Sequence, residues 1–450
     1  MAARDSRSLL RKEISARNLA SVSLNLNVPG YPKSNEVVRC FFECCLDDLK
    51  IYLKALQIRL HEKETIRQSD EAGDFYIVPL STNHFSLIEI KQICENFEEN
   101  HALGRFIDVD ITDTAAMPVS SGKSKPCFYC NQHPADECRR HQRHDTEEVR
   151  AFMFTKMKAY CMLQREMAIS RNLSSLALQS ILYEISLTPK PGLVDKFSNG
   201  VHSDMNYNTF IISTSAISVY FNDLVRAGFA FAETDMTKAL PVIRNIGLRM
   251  EKSMFDNTYQ VNTQKGIIFL MGLSLFSAGF LFAHEDEFHI EKFRTIIKDI
   301  CRNLTNRELE VPQRPPETHG EHIFHKHRIS GARGEAENGF PTVFDFGLPE
   351  LLKFTGLNEQ GLLRAFLAIA ANNNDTNILY RSSLDVLNQF RELAQSALET
   401  GNIDLLTDFC LKHRISPGGS ADILTVSIYL YLLIEQSRNN GLLNFPTLIS

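Results

Sequence analysis

From Glu147 onward the apolar residues recur at helical spacing in one span after another, and strand-like alternation is nearly absent. The helical spans cover 147–187, 208–228, 236–253, 266–283, 287–303, 347–371, 377–400 and 421–438. A chain patterned in this way can bury its apolar stripes only helix against helix, which predicts an all-α second domain. The first part reads differently. Residues 20–30, ASVSLNLNVPG, alternate apolar and polar and stop at a Pro-Gly turn; residues 36–57 take helical periodicity; DFYIVPL (74–80) is a short apolar run; a helix-like span reaches Asn100; and 104–112, GRFIDVDIT, alternates again. This succession predicts an α/β or α+β sheet domain. A chain of 450 residues exceeds one ordinary core, and the change of character falls between residues 150 and 170 with no Gly/Ser-rich linker. Domains over 1–160 and 161–450 are expected.

The balance of 44% hydrophobic and 23% charged residues is that of a globular protein, and a net charge of -6 argues against nucleic acid as the main partner. The N-terminal stretch carries charges and no apolar run, unlike a secretory signal. Ile267 to Ala283 is uncharged, but its length lies at the lower limit for a bilayer, so a buried helix and no membrane association are expected. The ten cysteines then belong to a reducing compartment, and a cytoplasmic protein is expected.

The connections of the helical domain are chemically rich. TPKPGLVDKFSNGVHSDM (188–205) brings Lys190, Asp195 and Asp204, and YQVNTQKG (259–266) ends in Lys265-Gly266 at a helix start. ISGARGEAENGFPTV (329–343) sets Arg333, Glu335 and Glu337 between glycines, NDTNILYR (374–381) brings Asp375 and Arg381, and ISPGGSADIL brings Gly418, Gly419, Ser420 and Asp422. Any one of these reads most simply as a cap, because Gly and Asp are common at helix starts. Five in one helical domain point instead to a cleft for an anionic ligand and a divalent metal, since helix N-termini favour phosphate and carboxylates are hard oxygen donors.

PKPGLVD, HSDM, NTQKG, RGEAENGFPTV, DTNIL and SPGGSADIL, in this order, resemble the triphosphoribosyl-dephospho-CoA synthase family over about 170–450. The resemblance implies that ATP and 3'-dephospho-CoA are substrates, joined with loss of adenine. It implies Lys190, Lys265 and Arg333 as a triphosphate clamp, Arg381, Gly418 and Gly419 as further substrate contacts, and Mg2+ on Asp204, Asp375 and Asp422. Glu335 and Glu337 are candidates for stabilising an oxocarbenium-like sugar or deprotonating the incoming hydroxyl. The family pattern NTHKG is broken here by Gln264. A His used as an acid or ligand could not be so replaced, whereas one that only hydrogen-bonds could.

In the first domain Asp108 and Asp110 stand two apart on an expected strand and so share a face, where a carboxylate pair can hold Mg2+ against a polyphosphate. Exposed strand carboxylates are the plainer reading of the pair alone. Lys33, in a turn after a strand, and Arg105, just before the pair, are candidate anion contacts, although a solvated turn lysine is common. Cys127, Cys130, Cys138 and His144, with His133 and His141 as alternative nitrogens, suit tetrahedral Zn2+; free thiols beside a basic RRHQRH run are the other reading.

SLNLNVPG, HALGRFIDVDI and PCFYC with its following Cys, Arg and His resemble the citrate lyase holo-acyl-carrier-protein synthase family over about 5–165. That resemblance implies a nucleotidyltransferase-like domain. Mg2+ on Asp108 and Asp110 would hold the triphosphate while a serine of the citrate lyase acyl carrier (gamma) subunit displaces pyrophosphate. The nucleophile would belong to the partner, and the product of the second domain would be the substrate of the first. A malonate decarboxylase carrier in place of the citrate lyase one, or a noncatalytic zinc-containing adaptor of a carrier protein, are the competing readings.

Overall fold

The computed structural model describes residues 2–82, 84–310 and 318–438. The chain divides into two compact units, one through Arg165 and one from Glu166.

The first unit runs α1 (Ala2–Ser15), β1 (Ala20–Leu26), α2 (Glu36–Ala55), β2 (Ile66–Asp70), β3 (Gly73–Leu80), α3 (Leu87–Asn100), β4 (Ile107–Thr112) and α4 (Ala135–Arg140), then enters α5 (Thr146–Ser186). The strands form one sheet of order β2-β3-β1-β4 in which every neighbouring pair is antiparallel. The α+β alternative therefore holds, because an α/β unit would need parallel strands. Local chemistry starts the helices: the Asn35 side chain accepts from Val38 N–H at 2.9 Å, and Ser86 and Glu89 form a reciprocal capping box. One sheet face carries Val22, Leu24, Tyr76, Val78, Val109 and Ile111 and packs on α2, α3 and the beginning of α5. On the other, Phe75 and Ile77 pack against Ile14 of α1. That second face also carries Ser23 and Asn25 opposite Asp110 and Asp108.

The second unit is the rest of α5 with α6 (Tyr207–Ser218), α7 (Phe221–Phe229), α8 (Ala239–Asn257), α9 (Lys265–His284), α10 (Ile290–Ile300), α11 (His319–His327), α12 (Gly331–Glu337), α13 (Leu348–Leu351), α14 (Glu359–Asn372), α15 (Thr376–Arg381), α16 (Leu384–Thr400), α17 (Asp404–His413) and α18 (Gly418–Arg438). No strand occurs among its described residues. The uncharged run is α9, which α7, α8, α10 and α18 surround. Helices α9 and α18 are both long and apolar enough to cross a membrane, and 78% and 67% of their apolar windows are buried within the protein.

Several expected spans are broken. The 208–228 pattern is two helices with a turn at Val219 and Tyr220; 347–371 becomes α13 and α14; and 377–400 becomes α15 and α16. The ARGEAE segment, expected as a loop because of its glycines, is helix α12. Two π-helical turns, Asn306–Glu310 and Val343–Gly347, also lie in this unit.

Candidate active sites

In the helical unit a cavity of about 1020 Å³ opens between α8, the start of α9, the 306–310 π-turn, α11, α12, the start of α15 and the start of α18. Its wall alternates cations with carboxylates. Arg333 Nε lies 2.9 Å from Glu308 and its Nη2 3.5 Å from Glu321; Arg244 lies 2.5 Å from the other Glu308 oxygen; Lys265 lies 2.9 Å from Glu251. Burial works to raise the Glu308 carboxyl, but the guanidinium groups of Arg244 and Arg333 win and hold it below its ordinary pKa. The π-turn aims this carboxylate between two arginines, a placement in keeping with the occurrence of such turns at functional sites.

Lys265 and Gly266 open α9, and Asp422 of α18 presses against them, accepting from the Ile267 N–H. A side chain on Gly266 would collide with the Asp422 Oδ2 atom. Burial, reinforced by Glu184 and Asp375, pushes the Asp422 carboxyl well above the ordinary range. Glu335 also lines the cavity. Its carboxylate accepts from the Thr342 N–H (2.8 Å) and hydroxyl (3.0 Å), and burial raises its pKa. The long helices α9 and α18 thus begin at the cavity, where their free N–H groups favour anions.

Five of the expected residues, Lys265, Arg333, Glu335, Gly419 and Asp422, line this one cavity. The others stand elsewhere or do other work. Asp375 is fully buried and caps α15, accepting from Asn377 N–H (2.9 Å), Ile378 N–H and both the N–H (2.8 Å) and hydroxyl (2.9 Å) of Ser420. A Cβ on Gly419 would lie 3.2 Å from the same carboxylate, and one on Gly418 would crowd Asn377. Lys190 is buried in an ion pair with Glu184 at 2.7 Å and donates to the Glu184 carbonyl at 2.9 Å. Asp204 is exposed beside His202, 3.7 Å away. Glu337 accepts from the Thr305 N–H at 3.0 Å. Arg381 follows Tyr380, whose ring stacks on His319 of the cavity wall, and its charge, after burial, depresses the pKa of both His319 and His202. Gln264 turns into the protein, where its Oε1 accepts from Ser213 (2.5 Å) and its Nε2 donates to Thr214 (3.0 Å) of α6. Sequence reasoning missed Arg244, Glu251, Glu308 and Glu321; they come from helices and turns with no motif around them.

In the first unit Asp108 and Asp110 share the face of β4 opposite the helix-packed core. Asn25 donates to Asp108 at 3.0 Å, and Lys125 lies 3.9 Å from Asp108 while also pairing with Glu98. Arg11 of α1 lies 3.5 Å from Asp110, and the nearly buried Lys91 of α3 lies 3.7 Å from it. Burial first, then the Asp108 charge, raises the Asp110 pKa. The pair is therefore ringed by cations from three separate elements, none of which the sequence reading named. Arg105 donates to the Pro126 carbonyl at 2.6 Å and Lys33 to the Val28 carbonyl. Cys127, Cys130, Cys138 and His144 gather so that their donor atoms all lie within 4.8 Å of one another.

The model of the family described as ATP:dephospho-CoA triphosphoribosyl transferase matches residues 170–441, and that described as apo-citrate lyase phosphoribosyl-dephospho-CoA transferase matches residues 1–160. The chain is 31% identical over 439 residues to Protein CitXG of Leuconostoc mesenteroides subsp. cremoris, spanning 92% of this chain and 91% of the relative. It is 28% identical over 451 residues to Protein CitXG of Haemophilus influenzae, spanning 95% and 94%. A probable 2-(5''-triphosphoribosyl)-3'-dephosphocoenzyme-A synthase of Vibrio cholerae is 36% identical over 284 residues, which span 60% of this chain and 91% of that one.

Proposed function

Because the chain belongs to the ATP:dephospho-CoA triphosphoribosyl transferase family through its helical unit, and over nearly its whole length to the family of the CitXG proteins, we propose that this transferase both makes and attaches the prosthetic group of citrate lyase. In the first reaction ATP and 3'-dephospho-CoA enter the helical cavity. The bond from the ribose of ATP to adenine breaks, and a bond from that carbon to the 2'-hydroxyl of dephospho-CoA forms. The hydroxyl proton passes to a carboxylate, and adenine leaves with a proton.

The observation that carries this reading is the convergence of Lys265, Arg333 and two long helix N-termini on the cavity that also holds Asp422 and Glu335. Cations and backbone donors suit an intact triphosphate, while buried carboxylates of raised pKa suit proton transfer and a cationic sugar. Mg2+ accompanying ATP has hard oxygen donors there on Glu251, Glu308 and Glu321. Asp375 has both oxygens engaged by its caps and serves the site through the backbone of α15 and α18. ATP and dephospho-CoA being intracellular metabolites, the reading puts the protein in the cytoplasm.

In the second reaction, proposed for the nucleotidyltransferase-like first unit, the serine hydroxyl of the citrate lyase acyl carrier attacks the phosphorus nearest the ribose and pyrophosphate leaves. Asp108 and Asp110 are the donors for Mg2+, and Arg11, Lys91 and Lys125 are the nearby cations. The test is adenine release from ATP, Mg2+ and dephospho-CoA, with CoA as the control acceptor, followed by addition of apo carrier. Adenine that appears only with dephospho-CoA, and pyrophosphate that appears only with carrier, is expected. Folded protein that yields neither would overturn the reading.

A further inference from the structure

We propose that Cys127, Cys130, Cys138 and His144 form a closed structural zinc site whose task is to hold Lys125 beside Asp108. The four donors come from a Cys-x2-Cys turn, helix α4 and the turn before α5. Cys127 Sγ lies 3.6 Å from His144 Nε2, and Cys130 Sγ lies 3.7 Å from Cys138 Sγ. A tetrahedral ion with Zn–S bonds of about 2.3 Å separates its ligand atoms by roughly 3.8 Å, so these spacings match the edges of such a tetrahedron.

The backbone is shaped for the same purpose. Asn131 takes a left-handed φ of 56°, its N–H donates to the Cys127 carbonyl at 2.9 Å, and the Cys127 N–H donates to the His133 carbonyl at 2.8 Å. That turn aims the N–H groups of Gln132 and His133 at the Cys130 sulfur. The Tyr129 ring meets His144 edge-on with centroids 5.0 Å apart and fixes the imidazole. Of the other candidate nitrogens, His133 is engaged by Arg143 at 3.2 Å.

Three thiolates and a neutral imidazole supply all four positions of a tetrahedral ion, which is the arrangement of a structural site. Binding releases three thiol protons to solvent and leaves the site with one negative charge. The consequence lies just upstream. Residue 126 gives its carbonyl to Arg105, and Lys125 reaches Glu98 and Asp108. Anchoring Cys127 on a metal fixes the backbone next to Lys125. The role of Lys125 in pyrophosphate release rests on the function proposed above; the metal site itself does not.

The experiment measures zinc by mass spectrometry in the untagged full-length chain purified under reducing conditions without chelator. About one zinc per chain is expected. Cobalt replacement should give thiolate charge-transfer bands and the red absorption of a tetrahedral ion. Cys138→Ser and His144→Ala should lower zinc affinity by about ten-fold or more. Cys44→Ser, in the separate cluster Cys40, Cys44 and Cys161, should leave the zinc content unchanged. Should the site variants fail to fold, zinc released from wild-type protein by a mercurial gives the stoichiometry. Zinc-free protein from zinc-replete cells that takes up none, or zinc lost from Cys44→Ser but kept in Cys138→Ser, overturns the site. For the positioning role, stripped protein should be cut faster by trypsin after Lys123, the cleavable lysine two residues before Lys125, and should lose carrier-dependent pyrophosphate release while keeping adenine release. Unchanged cleavage overturns that role, whereas absence of pyrophosphate release even from zinc-loaded protein counts against the proposed function alone.

Discussion

Gly266 lies directly beneath the carboxylate of Asp422, so that a methyl group in place of its hydrogen would occupy the space of Oδ2. The start of α9 and the first turn of α18 meet there, on the wall of the helical cavity. Gly266→Ala must push one helix start away from the other. A loss of about 1–3 kcal/mol is expected from such overpacking, together with a fall in adenine release. Thermal unfolding and the adenine assay check it; an Ala variant with both properties unchanged would show that the contact is not needed.

The raised pKa of Asp422 sets the sign of a pH effect. Burial favours its protonated form, so a proton-accepting role is switched on only as pH climbs through a value above the ordinary 3.9 or so. Adenine release should rise along that acid limb, and Asp422→Asn should abolish most of it. Stability runs the other way: the raised folded-state pKa means stabilisation present at low pH and lost as pH rises through it. Asp422→Asn should therefore gain in melting temperature relative to wild type between acid and neutral pH. An acid limb at the ordinary carboxylate value would sink this assignment.

Gln264 spends its amide on two buried hydroxyls, Ser213 and Thr214. Gln264→Ala should cost about 1–3 kcal/mol by taking from Thr214 its side-chain partner and from the Ser213 hydroxyl its acceptor, while Gln264→His should keep most of the stability and the activity. Chemical denaturation distinguishes the two. A His variant far more active than wild type would mean that the ring does chemistry that the amide does not.

Lys190 and Glu184 form a buried pair with side chains 3% and 9% exposed. Removing one partner strands the other charge, so Lys190→Met should destabilise the protein by about 3–5 kcal/mol. The KM for ATP of the folded fraction should barely change. A large rise in KM without loss of stability would return Lys190 to the triphosphate.

Asp108→Asn and Lys125→Met should each reduce carrier-dependent pyrophosphate release by ten-fold or more, without affecting adenine release from the helical unit. Loss of both activities together would contradict the assignment of the two reactions to separate units.

Long elements with a clean period were legible: α2, α5 and α9 stand within a residue or two of their expected bounds. β2 was not, because an edge strand reading Ile-Arg-Gln-Ser-Asp buries too little to show an apolar alternation. α1 was missed for a similar reason, its apolar residues amounting to a thin stripe that packs on Phe75 and Ile77. Glycines at 331 and 334 disguised α12, where tertiary contact overrode local propensity. The motif loops did bring Lys265, Arg333, Glu335, Gly419 and Asp422 together. Their charge partners were invisible, since Arg244 pairs with Glu308 across 64 positions and Arg11 with Asp110 across 99, separations that no local pattern records.

Helix α5 has a bearing on how such a chain can be divided. Its first turns bury Met153 and Met157 in the sheet unit, and its later turns bury Ile169 and Leu173 among the helices. The 41 residues from Thr146 to Ser186 therefore form one helix whose two ends contribute to two different hydrophobic interiors. A gene cut at the boundary of the two units, between Arg165 and Glu166, would fall within this helix, so each half expressed alone would end in a severed turn. A usable pair of fragments would have to carry overlapping copies of that helix.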